Sequence, residues 1–214
     1  MTEIKGWSRP DMARRLAADI PEGWAVNLGI GLPTLVANYV PLDREVIFHS
    51  ENGVLGVGPA PEPGAEDPWM INAGKQLITL RPGASLMGQA DSFAVIRGRH
   101  LDLAVLGGYQ VAANGDFANW STGRAGEAPA VGGAMDLGAG AKQVWVLMEH
   151  VAKGGVAKLV ERCSYPLTAR GSVTRVYTDL AVIDITASGF VLRECAPGLS
   201  RADVQAVSGA PLGC

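Results

Sequence analysis

Short apolar runs that end in glycine are the feature of this sequence that most restricts its fold. Trp24–Leu28 is such a run, and it is followed by Gly29-Ile30-Gly31 and by a helical pattern over Leu35–Val40. Leu101–Leu106 is another, and Gly107-Gly108 follows it. A strand, a glycine turn and a helix form the first half of a βαβ unit. Runs without polar alternation are typical of parallel strands that are buried on both faces.

The rest of the chain continues this pattern and then changes. Further strands are predicted at Glu45–His49, Leu77–Leu80, Gln143–Met148, Val173–Tyr177, Leu180–Ile185 and Phe190–Glu194. The short turns between the last three favour antiparallel pairing. Helices are predicted after Ser8, where Met12, Leu16 and Ile20 recur at helical spacing, at Asp91–Ile96, and after the capping box Ser200–Asp203.

One long segment, Val54–Trp69, is rich in glycine and proline, and we expect neither helix nor sheet there. Asn114-Gly115 predicts a tight turn between two short extended segments. The sequence therefore predicts one α/β domain over residues 1–214. It would hold an open, mostly parallel sheet with an antiparallel C-terminal portion.

Composition excludes several classes of protein. Charged residues make up 18% of the 214 residues and hydrophobic ones 48%, which excludes a disordered chain. A net charge of −3 argues against a nucleic-acid-binding protein. No apolar run reaches the ~18 residues that a membrane span needs, and the N-terminus has no apolar signal-peptide core. We expect a cytoplasmic protein that binds neither nucleic acid nor membrane.

The three cysteines and three histidines lack metal-ligand spacing, so no metal site is predicted.

The Gly29-Ile30-Gly31 turn matches two thirds of a dinucleotide-binding fingerprint. The third glycine is replaced by Thr34, and no suitable acidic residue follows to hold a ribose. A tight strand–helix turn is the simpler interpretation, although an anion near the following helix N-terminus remains open.

Glu51 is a candidate functional residue because it directly follows an apolar strand. Ligands of open α/β sheets bind beyond the carboxyl ends of parallel strands, and Gly53 allows a sharp turn there. Glu51 is interpreted either as an exposed loop residue or a cap for a short helical turn, or as a general base, a metal ligand or a nucleophile. A metal would need further ligands, and among nearby residues only His49 could supply one. His49 is expected to point to the strand face opposite Ser50 and to pack locally. A nucleophilic carboxylate would form an anhydride, which needs oxyanion donors such as the backbone amides of Gly107-Gly108 and Gly132-Gly133.

A longer signature surrounds Glu51. Phe48–Gly56, which reads FHSENGVLG, resembles the active-site signature of the B subunits of class I 3-oxoacid CoA-transferases. The resemblance covers nearly the whole chain, and further matching segments occur in order: Val26–Gly31, Ile71–Gln76, Pro82–Ser85, Ala90–Phe93, Ala118–Trp120, Gly132–Leu137 and Tyr165–Thr168.

This resemblance implies a fold, a mechanism and a site. The fold would be the open α/β sheet shared with ribose-5-phosphate isomerases, with helices on both sides. Glu51 would attack an acyl-CoA thioester to give an anhydride and then a glutamyl–CoA thioester. CoA would be a cosubstrate, with no external cofactor and no metal. The residues expected to bind CoA or substrate are Asn27, Gly29, Gly31, Ser50, Asn52, Gly53, Lys75, Gly132 and Gly133.

The resemblance also implies a partner and a substrate. The A subunit of the family is a separate chain or domain, so we expect an A2B2 complex that is inactive without it. The low charge and the mean hydropathy of +0.16 agree with a large interface. Segments Ala118–Gly123 and Pro129–Gly133 resemble enzymes that transfer CoA from succinyl-CoA to 3-oxoadipate more than those that use acetoacetate.

Four arginines are candidates to bind the distal carboxylate of 3-oxoadipate: Arg81, Arg97, Arg99 and Arg124. Arg99 stands where the family usually has glycine, and a positive φ there would cost it about 1 kcal/mol or more. Two other functions remain open. One is a sugar-phosphate isomerase of similar fold, and the other is a non-catalytic partner or ligand sensor.

Overall fold

The computed structural model describes residues 6–124, 126 and 129–214. Its helices are α1 (Arg9–Asp19), a 3₁₀ helix (Leu32–Tyr39), α2 (Gln89–Arg97), α3 (Ala134–Gly140) and α4 (Arg201–Ala206). Its strands are β1 (Ala25–Leu28), β2 (Ile47–Ser50), β3 (Val54–Val57), β4 (Leu80–Leu86), β5 (Leu103–Leu106), β6 (Gln110–Ala112), β7 (Phe117–Ala118), β8 (Gln143–Leu147), β9 (Leu159–Val160), β10 (Val173–Tyr177), β11 (Ala181–Thr186), β12 (Gly189–Cys195) and β13 (Leu212–Gly213).

Among the described residues, a ten-stranded sheet forms the centre of the molecule, in the order β13-β12-β11-β10-β8-β5-β1-β2-β3-β4. The strands from β10 to β2 in this order run parallel, with Val26 of β1 paired to Phe48 on one side and to Leu103 on the other. The predicted open, mostly parallel sheet is confirmed.

The central strands are buried on both faces, as their lack of alternation predicts. In β5, Leu103 and Val105 join one apolar cluster, while Ala104 and Leu106 join a second cluster on the other face. The first cluster is covered by α1 and the 3₁₀ helix, and the second by α2, α3 and α4. Helices therefore lie on both sides of the sheet, as expected.

The predicted N-terminal helix is confirmed as α1. The side chain of Ser8 accepts a hydrogen bond from the backbone of Asp11, and Pro10 lies in the first turn. Met12 and Leu16 are fully buried against the sheet. In the described part of the chain, no helix is both long and apolar enough to cross a membrane.

The C-terminal portion is antiparallel, as predicted. β10 pairs with β11 and β11 with β12, each through a short turn. The capping box at Ser200 and Asp203 is formed and opens α4. Asn114-Gly115 forms the predicted turn between β6 and β7, which belong to a small three-stranded sheet with β9.

Two predictions near the edge of the sheet are wrong. Val54–Trp69 is not free of sheet, because β3 occupies Val54–Val57 and pairs antiparallel with β2 and β4. The strand predicted at Leu77–Leu80 lies instead at Leu80–Leu86 and runs through Pro82. The strands on both sides of β3 hydrogen-bond to its backbone. The glycine-rich sequence of this segment gives no sign of that pairing. Proline is tolerated in β4 because this strand is at the sheet edge.

Candidate active site

One cleft lies at the carboxyl ends of the central parallel strands. The segments that follow β1, β2, β5 and β8 all reach it, and its volume is about 480 Å³. Ligands of open α/β sheets bind at this edge. The cleft brings together predicted site residues from distant parts of the chain: Gly29, Glu51, Gly107, Gly108, Gly132 and Gly133.

The turn that carries Glu51 is fixed by its neighbours. Gly53 closes the turn by donating its amide to the carbonyl of Ser50 at 3.0 Å, and its φ is 109°. A Cβ at position 53 would overlap the carbonyl oxygen of Met87, whose amide donates to the Gly53 carbonyl at 2.9 Å. Only glycine fits both the backbone angle and the close approach, so the Glu51 turn is held firmly against the start of α2.

The carboxylate of Glu51 lies against the backbone of Gly133. A Cβ at position 133 would overlap Oε2 of Glu51, so any larger residue there would displace the carboxylate. Burial raises the pKa of Glu51, and the nearby negative charge of Asp136 raises it further, while the backbone amide of Gly133 acts in the opposite direction. The carboxylate is therefore more basic than an exposed glutamate, which suits a base or a nucleophile.

A buried polar chain lies behind Glu51. The side-chain amide of Asn27 donates to Nδ1 of His49 at 2.9 Å, and Nε2 of His49 lies 2.9 Å from Oγ of Ser92. The Ser92 hydroxyl in turn donates to the Ser50 carbonyl at 3.5 Å. Burial lowers the pKa of His49 to about 4, so the imidazole is neutral at neutral pH. The expected local packing of His49 is confirmed, and the chain connects strand β1 to the residue before Glu51.

The candidates Asn27, Gly29 and Gly31 do not all reach the cleft. Asn27 is only 1% exposed and lies beneath the site, within the buried chain. Gly29 lines the cleft, and its amide donates to the Val105 carbonyl at 2.8 Å. Gly31 ends this turn with a φ of 95°.

Ser50, Asn52 and Lys75 belong to a second arrangement beside the cleft. The hydroxyl of Ser50 accepts from the Ala73 amide at 2.9 Å, and Nδ2 of Asn52 donates to the Ile71 carbonyl at 2.8 Å. These bonds hold residues 71–76 against the Glu51 turn. Lys75 is exposed on that segment with a φ of 61°. A cavity of about 120 Å³ lies beneath this segment.

The four candidate arginines lie away from the cleft wall. Arg81 donates to the carbonyl of Arg44 at 3.0 Å and lies over the ring of Phe48. Arg97 pairs with Asp136 at 2.7 Å. Arg99 and Arg124 are exposed. The φ of Arg99 is 60°, so the condition for a backbone cost at this residue is met.

The cations that line the cleft in the described residues are Arg9 and Lys158 instead. Sequence reasoning did not select either of them, nor Ser92 or Asp136. Within the same residues, no group of three or more His, Cys, Asp or Glu side chains is placed to hold a metal ion.

A family model for coenzyme A transferase matches residues 9–206. This chain belongs to that family. The transferase is 56% identical to the B subunit of 3-oxoadipate CoA-transferase from Pseudomonas putida over 99% of both chains. It is 49% identical to the B subunit of succinyl-CoA:3-ketoacid coenzyme A transferase from Helicobacter pylori, over 92% of this chain and 94% of that one.

A solved structure agrees with the fold. An acyl-CoA transferase of Escherichia coli O157:H7 matches with a TM-score of 0.75 and 19% identity. The match covers 96% of the present chain but only 41% of the longer one. This chain is thus a CoA-transferase subunit of the B type. CoA is the cosubstrate of such enzymes, and the names of its relatives imply a partner of the A type.

Proposed function

We propose that this B-type chain moves CoA from succinyl-CoA to 3-oxoadipate, with Glu51 as the covalent nucleophile. The observation that carries the proposal is the position of the Glu51 carboxylate. It lies at the carboxyl edge of the parallel sheet, in the wall of a large cleft, against the backbone of Gly133. Its raised pKa makes the ionised carboxylate a stronger nucleophile than an exposed glutamate.

The first half of the reaction loads CoA onto the enzyme. The Glu51 carboxylate attacks the thioester carbonyl of succinyl-CoA, the carbon–sulfur bond breaks, and CoA leaves as a thiolate. The product is a mixed anhydride between Glu51 and the succinyl group. The thiolate then attacks the glutamyl carbonyl, which releases succinate and leaves a glutamyl–CoA thioester.

The second half reverses these steps with the acceptor. The carboxylate of the 3-oxo acid attacks the glutamyl thioester and releases the thiolate, forming a new anhydride. The thiolate attacks the acceptor's acyl carbonyl, which yields the new acyl-CoA and frees the Glu51 carboxylate. No bond change in this sequence needs an external cofactor or a metal.

The cleft lining suits this chemistry. Gly107, Gly108, Gly132 and Gly133 all border the cleft, and their main-chain amides are candidate donors to the oxyanions that form at each attack. Apolar side chains such as Leu137 and Met148 also line it. They would limit the access of water, which would otherwise hydrolyse the anhydride or the thioester.

The acceptor is assigned from two lines of support. The Pseudomonas relative named for 3-oxoadipate is more similar to this chain than the Helicobacter relative named for 3-ketoacids. Trp120 and residues 130–133, in segments that resemble the 3-oxoadipate enzymes, line the cleft. Acetoacetate is the alternative acceptor, and the Helicobacter relative supports it.

We propose an A2B2 complex in the cytoplasm, formed with a CoA-transferase chain of the A type, without which the B-type chain is inactive. Asn27, Gly29, Gly31, Ser50, Asn52, Gly53 and Lys75 would bind CoA and substrate or hold the residues that do.

Covalent labelling of the assembled complex tests the mechanism. The chain is mixed with its A-type partner, given succinyl-CoA, and treated with borohydride, which reduces a glutamyl thioester. Peptide mapping by mass spectrometry should find Glu51 modified, and a Glu51→Gln complex should show no modified peptide. An unmodified Glu51 in an assembled complex that binds CoA would contradict the proposal.

Steady-state rates then test the acceptor. We expect a higher kcat/KM for 3-oxoadipate than for acetoacetate with succinyl-CoA as donor. The opposite preference would keep the covalent mechanism and replace the acceptor. Turnover of ribose 5-phosphate would favour the isomerase instead. Full transferase activity in a Glu51→Ala complex would favour the non-catalytic partner or sensor.

A further inference from the structure

We propose that Lys158 is the cation that binds the second carboxylate of a dicarboxylic acyl group in the Glu51 cleft. The inference rests on the proposed function, because it names the part of the substrate that a further residue of the same site recognises. Lys158 lines the cleft together with Glu51. Succinyl and 3-oxoadipyl groups both carry a carboxylate at the end remote from the thioester, and the acetoacetyl group carries none.

Arg9, the other cation that lines the cleft in the described residues, already has an anionic partner. Arg9 pairs with Glu149 at 2.7 Å. Of the arginines named earlier, Arg97 pairs with Asp136, and Arg81 donates to backbone carbonyls. These groups are occupied within the chain itself and have less capacity to bind a substrate anion.

Lys158 is different. In the part of the chain that the structure describes, no carboxylate oxygen lies within 4.0 Å of its ammonium group, and that group donates no hydrogen bond. Its side chain is half-buried, and burial lowers its pKa, while the more distant charges of Glu149 and Asp179 act in the opposite direction. A half-buried cation without a contact partner is unfavourable, and an anion bound in the cleft would compensate it.

The backbone of Lys158 is held in place. Its amide donates to the His150 carbonyl at 3.3 Å, and its carbonyl accepts from the Val111 amide at 2.9 Å. The next residue begins β9, which pairs with β6. The lysine side chain therefore projects from a fixed point, which is what a specificity-determining residue needs.

Lys158 and Glu51 line the same cleft from different strands. Glu51 follows β2, and Lys158 is bonded to the segment that follows β8. The sheet order β8-β5-β1-β2 separates these strands by three spacings, or roughly 14 Å. Both residues line this cleft, and the proposal places the far end of an acyl group that reacts at Glu51 beside Lys158.

Two chemical considerations favour a carboxylate over a phosphate of CoA. A single ammonium group matches the single charge of a carboxylate. In addition, donor and acceptor acyl groups both react at Glu51, so one cation would serve the two half-reactions. Loss of binding for every CoA thioester alike would point to the phosphate and overturn the inference.

The test uses the assembled complex of both kinds of chain. Lys158→Met keeps most of the length of the side chain and removes the charge, and Lys158→Arg restores a charge. Lys153→Met, at an exposed lysine in the preceding turn, is the matched control. In a reaction with a covalent intermediate, kcat/KM for each substrate reports only its own half-reaction, so donors and acceptors are measured separately.

We expect Lys158→Met to lower kcat/KM for 3-oxoadipate and for succinyl-CoA by about 10- to 100-fold. The values for acetoacetate and acetoacetyl-CoA should stay within about twofold. Lys158→Arg should recover much of the loss, and Lys153→Met should match the wild type.

Equal losses for dicarboxylic and monocarboxylic substrates, in a complex that assembles normally, would overturn the role of Lys158. Borohydride labelling separates this failure from that of the proposed function. A wild-type complex that labels at Glu51 while Lys158→Met shows no selective loss refutes only the carboxylate contact. A wild-type complex that does not label at all refutes the covalent mechanism itself.

Discussion

Gly133 and Glu51 are in contact in a way that only glycine permits. A Cβ atom at position 133 would overlap Oε2 of the glutamate, and the backbone amide of Gly133 acts on the same carboxylate. The overlapping group is the far end of a flexible side chain, so a larger residue at 133 would displace the carboxylate rather than disrupt the fold.

Gly133→Ala should therefore reduce turnover far more than stability. We expect kcat of the complex to fall by about 100-fold, since a displacement of about 1 Å has effects of that size. The melting temperature should change little. Gly88→Ala is a suitable control, because φ at Gly88 is −63° and the nearest group is the flexible end of Asp91. Unchanged turnover in Gly133→Ala would show that the carboxylate position is not critical.

Gly53→Ala, in contrast to Gly133→Ala, should mainly destabilise the fold. Its φ of 109° strains any other residue, and the added Cβ would overlap a backbone oxygen of Met87 that cannot move easily. We expect a loss of about 1–3 kcal/mol in the free energy of unfolding, measured by urea denaturation against Gly88→Ala. A midpoint equal to that of the control would mean that the turn can rearrange at no cost.

Glu51→Gln should abolish transfer and yet stabilise the protein at neutral pH. The pKa of Glu51 is raised in the folded state, so its stabilising contribution is present below the unfolded value and is lost as pH rises through the folded pKa. Above that range the buried charge opposes folding, and glutamine removes it. Activity should fall about 1,000-fold or more.

Thermal unfolding of both proteins between pH 4 and 8 checks the sign. The variant should melt at a higher temperature than the wild type at pH 8, and the difference should shrink toward pH 4. A wild type that is more stable at pH 8 would contradict the burial cost assigned to the carboxylate.

Two buried histidines should make the fold sensitive to mild acid. Burial lowers the pKa of His49 and of His150 from 6.5 to about 4. A depressed pKa gives stability that is present above the unfolded value and is lost as pH falls toward the folded one. The full drop in pKa corresponds to roughly 3 kcal/mol in the free energy of unfolding for each residue.

Urea unfolding at pH 7 and pH 5 measures this effect. Wild type should lose more stability between the two values than a His49→Gln, His150→Gln double variant. His100→Gln, at an exposed histidine, is the matched control. An equal loss in wild type and the double variant would show that other groups govern acid sensitivity.

Sequence patterns were sufficient for the parts of the fold that depend on local chemistry. The parallel strands follow from apolar runs such as Leu103–Leu106, and α1 follows from its cap and its apolar spacing. β3 was missed because its stability comes from strands on both sides rather than from its own residues.

The candidate site likewise contains residues that local sequence identifies and residues that only the tertiary structure brings together. Glu51 was found because it follows a strand end within a specific signature. Ser92, Asp136 and Lys158 were missed, because each comes from an element distant in the sequence and takes its environment from the tertiary structure. No local pattern distinguishes Lys158 from an exposed lysine such as Lys153.

The cleft is lined partly by main chain and partly by side chains, and this has a consequence for laboratory evolution. Gly133 contributes main chain against Glu51, and a larger residue there would move the Glu51 carboxylate. Other lining residues contribute side chains, among them Trp120, Met148 and Lys158. Libraries that seek new acyl groups should concentrate on these side chains, which can be changed while the Glu51 carboxylate stays in place.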